Sequence, residues 1–211
     1  MKKIYFRLEF FSLFILLPIA LFLFRTSLRQ MVVPILLAVC ILILTVLLFD
    51  HSFDIKRLWK TSCFIRNLKS VFLRLIIGGA ILSLLVYVLN SHLLLNFPKR
   101  NFRLWLMVIV LYPLFSAYPQ EVIYRLFFFH RYKTIFKRKW EMILVSGFCF
   151  GLAHLFFFNV WALTLSFIGG VLFAYTYSKA DSVIITTIEH GLWGDLIFTL
   201  GLGLYFYSGA I

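Results

Sequence analysis

Apolar residues run almost unbroken through seven stretches of the chain, separated by short polar or charged segments. The stretches are Phe6–Phe24, Met31–Phe49, Val71–Leu95, Leu104–Phe129, Met142–Phe158, Ala162–Tyr177 and Val183–Phe206. A helix needs roughly 20 mostly apolar residues to cross a bilayer, and the chain supplies that length repeatedly. The pattern predicts an all-α fold: a polytopic transmembrane helical bundle of about seven spans, forming one integral membrane domain over residues 1–211. The longest polar loop is Asp50–Ser70. The fourth stretch is long and contains Pro113 and Pro119, where a break is expected. The first stretch resembles a signal peptide, with Lys2, Lys3 and Arg7 ahead of an apolar core. It has no small-residue cleavage site and carries Glu9, so a retained helix is expected.

Composition strengthens the membrane reading. Hydrophobic residues make up 63% of the chain, against about 45–50% in a soluble domain. A net charge of +13 raises the question of nucleic acid. The basic residues sit in short loops instead, with no soluble module to present them, so membrane lipids are the expected partner and nucleic acid is not. Fourteen Lys and Arg fall in the segments on one side of the predicted spans and five on the other. That asymmetry places the amino terminus in the cytoplasm and the carboxyl terminus outside. Cys40, Cys63 and Cys149 are scattered, without the close spacing of a zinc knuckle or a disulfide framework.

Ionisable groups cost about 2.5–3.5 kcal/mol each at the centre of a membrane helix, so those inside the spans call for a reason. The first three spans hold little beyond Glu9 and Arg74, near their ends. The last four hold Glu121, Arg125, His154, Glu189, His190 and Asp195. Glu121 and Arg125 are four apart and share a helix face; taken alone they read as an ion pair that lets both charges be buried. His154 follows Phe150 by four in GFCFGLAHLFFFN and alone reads as a packed, hydrogen-bonded side chain. His190, in TIEHGLWGDLIF, has Gly191 and Gly194 beside it and alone reads as helix-to-helix glue. Asp195, five residues on, is a candidate to hydrogen-bond His190 and orient it. Glu189 is expected to point away, toward a basic group or solvent. Together, an acid and two imidazoles on spans four, five and seven are an inventory for activating water and stabilising an oxyanion. The same groups would serve zinc ligation through Glu121, His154 and His190, or bis-histidine haem. A transporter would use Gly169-Gly170 to break a helix, but no inverted repeat accompanies the pair.

Three stretches resemble the motifs of the CAAX protease and bacteriocin-processing membrane proteins, the group that includes the eukaryotic type II CAAX prenyl endopeptidase. Gln120-Glu121-Val-Ile-Tyr-Arg125 matches the family's Glu-Glu-x-x-x-Arg. Phe150 and His154 match Phe-x-x-x-His. His190, with Gly194 at the last position and Asp195 next to it, matches His-x-x-x-Asn. The resemblance covers about residues 104–207. It implies a helical bundle with a cavity open to lipid, in a bacterial inner or cell membrane, that hydrolyses peptide bonds in hydrophobic or lipidated substrates. It assigns Glu121, His154 and His190 to catalysis, with Gln120, Arg125, Phe150 and Asp195 in support. No cofactor is implied firmly; an older reading of the family makes the same residues zinc ligands. The chain departs from the pattern twice. Gln120 stands where the family has its first Glu, and an amide is no general base. Glu121 lies about 100° round the helix from that position. Gly194 replaces the Asn that, with the later His, binds the oxyanion. Two expectations follow: an intramembrane peptidase, or an impaired relative acting as a membrane binding or bacteriocin-immunity protein.

Overall fold

The computed structural model describes residues 2–61 and 64–206. Cys63 lies outside the described residues, as do the side chains of Lys2 and Arg66. Among the described residues there are helices and no strand. Seven long helices carry the chain: α1 (Lys3–Leu23), α2 (Arg25–Leu48), α3 (Phe64–Asn90), α4 (Phe102–Arg131), α5 (Lys139–Phe157), α6 (Val160–Ala180) and α7 (Val183–Thr199). Six are long and apolar enough to cross a membrane. The seventh, α7, has 17 residues, about 26 Å of helix. It packs against α3, α4 and α6. The outer face of α3 presents Ile76, Leu84 and Val88, the surface that lipid solvates in a membrane bundle.

Local chemistry fixes where the last four helices begin. The Asn101 side chain accepts from Leu104 N–H at 3.1 Å, and Asn159 accepts from Trp161 N–H at 2.8 Å. Ser182 accepts from Ile185 N–H at 3.3 Å. Each satisfies an amide that the first helical turn leaves unpaired. At the start of α5 the Glu141 carboxylate accepts from the Lys137 and Arg138 amides at 3.0 and 3.2 Å. Phe158 and Asp181, at φ 49° and 47°, make the sharp turns from α5 to α6 and from α6 to α7. Asp181 also pairs with Arg57 at 2.5 Å and Lys60 at 3.1 Å, tying that turn to the loop after α2. Burial alone would raise the Asp181 carboxyl; hydrogen bonds and charge from Arg57 and Lys60 hold it below the ordinary carboxylate value. This anchor stabilises the fold above the unfolded carboxylate pKa, about 3.9, and is lost as pH falls through the lower folded value.

Two helix irregularities differ from the pattern read in the sequence. Pro113 and Pro119 do not break α4. The helix runs through them and widens into π turns at Pro113–Ala117 and Val122–Phe127, on either side of the α turn Tyr118–Glu121. Tyr118 N–H reaches back five residues to the Pro113 carbonyl. Proline offers no amide to close a tighter turn, and a π turn rotates the side chains that follow it. Nor does Gly169-Gly170 break a helix: α6 is continuous from Val160 to Ala180. Gly170 instead lets α6 approach α5, because a Cβ there would come within 2.9 Å of the Gly147 carbonyl oxygen. Gly170→Ala is therefore expected to force the two helices apart at a cost of about 1–3 kcal/mol. Thermal unfolding in detergent reads this directly, and an unchanged midpoint would show that the close approach is dispensable.

Candidate active site

Glu121 is fully buried, with one oxygen hydrogen-bonded and the other facing a guanidinium at ion-pair distance without a hydrogen bond among the described residues. Its Oε1 accepts from His190 Nδ1 at 2.9 Å, and Oε2 lies 3.3 Å from Arg125 Nε. Arg125 is equally enclosed. It donates to the Gly170 carbonyl at 3.3 Å, and its guanidinium lies 4.7 Å above the Phe150 ring. A carboxylate, a guanidinium and an imidazole from α4 and α7 thus form one cluster, with α5 and α6 supplying its aromatic and carbonyl walls. His190 stacks on Phe173 with ring centres 4.6 Å apart. Its second nitrogen, Nε2, meets the Tyr112 hydroxyl at 3.0 Å. A carboxylate can only accept, so the Glu121 contact puts the proton on Nδ1. In the neutral imidazole Nε2 is then the acceptor, and Tyr112 donates to it.

His154 sits where α5 tightens into a 3-10 turn, His154–Phe157. Its Nδ1 donates to the Phe150 carbonyl at 2.8 Å, which leaves Nε2 with a lone pair. The Phe150 ring stands between the two imidazoles, 4.7 Å from His154 and 5.4 Å from His190. Gln120 donates from Nε2 to Ser116 Oγ at 2.8 Å.

These groups border an apolar cavity of about 590 Å³ between α1, α2, α4, α5 and α7. Gln120, His154, Tyr112, Ser116 and Gly194 line it; Glu121 and His190 do not. The position of Glu121 does not fit a base that touches water in the cavity: its side chain has no exposure and reaches the wall only through His190 and Tyr112. Asp195 makes no hydrogen bond to His190. Both His190 nitrogens are taken by Glu121 and Tyr112, and Asp195 Oδ1 is buried without a hydrogen-bond partner among the described residues. Five residues along a helix is about 140° of rotation, so Asp195 points elsewhere. Glu189 turns away from His190 and pairs with Arg74 at 2.7 Å.

The donor set fits neither zinc nor haem. A metal ligand needs a free, accessible lone pair; both His190 nitrogens are committed, and the enclosed Glu121 Oε2 faces the Arg125 guanidinium away from the cavity. No cluster of three or more His, Cys, Asp or Glu able to hold a metal occurs among the described residues. Tyr112 and Ser116 were missed in the sequence. An aromatic and a hydroxyl in an apolar run carry no spacing signal, and their place at the site is set by contacts across helices.

Fold and site together define a helical integral membrane protein with an enclosed acid–imidazole cluster beside an apolar cavity. Residues 102–194, which contain the whole cluster, match the family model described as type II CAAX prenyl endopeptidase Rce1-like. No curated protein and no solved structure matches the chain significantly.

Proposed function

We propose that the protein is an intramembrane endopeptidase that hydrolyses a peptide bond in a hydrophobic or lipidated substrate. The observation that carries the reading is His154 on the wall of an apolar cavity, its Nδ1 held by a carbonyl so that Nε2 is a bare acceptor. A substrate's apolar part fills the cavity and brings a peptide carbonyl beside His154. His154 Nε2 takes a proton from water as the water oxygen adds to the carbonyl carbon. The oxyanion accepts from the Gln120 amide, which has a second N–H besides the one given to Ser116. The His154 proton then passes to the leaving amine as the C–N bond breaks. Glu121 and Arg125 act through His190, as positioning residues, and Phe150 holds the rings and the guanidinium apart.

One observation favours a second reading. The cavity-facing member of the Gln120-Glu121 pair is the amide, and the acid is enclosed. A relative of this build could hold a lipidated peptide without cutting it, as a binding or immunity protein does. The two readings separate in lipid nanodiscs supplied with a farnesylated peptide. Product detected by mass spectrometry from the wild-type protein supports the peptidase. Tight binding without product, combined with cleavage by Gln120→Glu, would sink it and leave the binding role.

Contacts within the fold support a cytoplasmic amino terminus. Arg131–Glu9, His130–Asp50 and Arg57–Asp181 gather on one face the amino-terminal end of α1, the loop after α2 and the segments after α4 and α6. Those segments carry most of the basic residues.

A further inference from the structure

Tyr112 lies outside every motif, yet it joins the enclosed cluster to the cavity. It lines the cavity, and its hydroxyl is 3.0 Å from His190 Nε2. Its place depends on Gly194, one turn beyond His190 on α7. A Cβ on Gly194 would run into the Tyr112 ring and come within 2.8 Å of its hydroxyl oxygen. Any larger side chain at 194 and the Tyr112 ring therefore compete for one space. The absence of a side chain at 194 and the presence of a phenol at 112 are two halves of one arrangement.

We infer that Tyr112 is the water-positioning residue of the site: its oxygen accepts one hydrogen of the attacking water while His154 takes the other. This rests on the peptidase reading. With His190 as the neutral imidazole, the direction of each hydrogen bond follows from the Glu121 contact. The Glu121 carboxylate demands the proton on His190 Nδ1. That makes Nε2 an acceptor and draws the Tyr112 O–H toward α7. A hydroxyl that has spent its one hydrogen offers only lone pairs on its remaining side. Water held by Tyr112 Oη and His154 Nε2 has both hydrogens engaged, so an oxygen lone pair is left for the carbonyl carbon. Only one proton moves, from water to His154; the Tyr112 and His190 protons stay where they are. The enclosed Glu121 thereby acts on the reaction without touching it, by setting which way a chain of two hydrogen bonds runs.

The test compares Tyr112→Phe with wild type in nanodiscs, on a farnesylated peptide and on an analogue whose scissile amide is replaced by a reduced amine. The ring stays and only the hydroxyl goes. The expected result is a kcat lower by about 10- to 100-fold, the range of a water-orienting contact within acid–base catalysis, with the analogue's Kd within twofold of wild type. Gly194→Ala, which keeps the hydroxyl but crowds it off His190, should lower kcat in the same direction. Wild-type turnover in Tyr112→Phe would overturn the role of Tyr112 and leave the peptidase reading standing. Loss of analogue binding in Tyr112→Phe would also overturn it, by showing that the hydroxyl shapes the cavity instead. A wild-type protein that binds the analogue and cleaves nothing would overturn the peptidase reading itself.

Discussion

Arg125→Met should destabilise the folded protein by about 3–5 kcal/mol, the usual cost of removing one partner from a buried ion pair. Glu121 and Arg125 are both 0% exposed, so neither has water to fall back on. The guanidinium also donates to the Gly170 carbonyl and covers the Phe150 ring, joining α4 to α6 and α5. Without it, Glu121 keeps only His190. The paired variant Glu121→Gln with Arg125→Met should recover part of the loss. The amide oxygen still accepts from His190 Nδ1, and no uncompensated charge remains. A coupling of about 0.5–3 kcal/mol between the two positions is expected. Unfolding titrations in mixed micelles give both numbers, and a loss below about 1 kcal/mol for the single variant would mean the pair is solvated after all.

His154→Ala should lower turnover by about 10²- to 10⁴-fold, the contribution of a positioned proton acceptor. Its effect on stability should be modest, about 0.5–1.5 kcal/mol, because only one hydrogen bond to the Phe150 carbonyl is lost. His154→Gln sharpens the comparison. Gln keeps polarity and length but cannot take a proton at neutral pH, so it should be as slow as Ala. Initial rates of peptide cleavage by both variants provide the check. Turnover within threefold of wild type in either one contradicts the role given to His154.

The helices were legible in the sequence because run length alone decides what can cross a bilayer. The Glu121–Arg125 ion pair was legible because charge in an apolar helix needs a partner, and Arg125 four residues on supplies one; the hydrogen bond from His190 to Glu121 was not. Orientation around each helix was not. Straight-helix geometry placed the Gln120 and Glu121 side chains about 100° apart, and the structure sends one to the cavity and the other inward. π turns lie on either side of Tyr118–Glu121, and no local residue pattern announces a π turn; the two prolines suggested a break. Asp195 was placed beside His190 because of sequence proximity, and helix rotation carries it elsewhere. Gly194 read as a missing oxyanion residue. Its meaning emerges only across helices, where α4 brings Tyr112 into the space that a side chain would need.

The peptidase proposal requires the cavity bounded by Gln120, Tyr112 and His154 to hold the hydrophobic peptide. A farnesylated peptide bearing a photoreactive diazirine on its prenyl chain tests this, with cross-linked residues mapped by mass spectrometry. Cross-links should concentrate on cavity-lining residues such as Leu36, Met107, Leu111, Ile123 and Phe156, and an excess of unlabelled peptide should remove them. Cross-links confined to the outer face of α3, at Ile76, Leu84 and Val88, would contradict binding in the cavity, since they would place the lipidated peptide in the surrounding bilayer and not in the site.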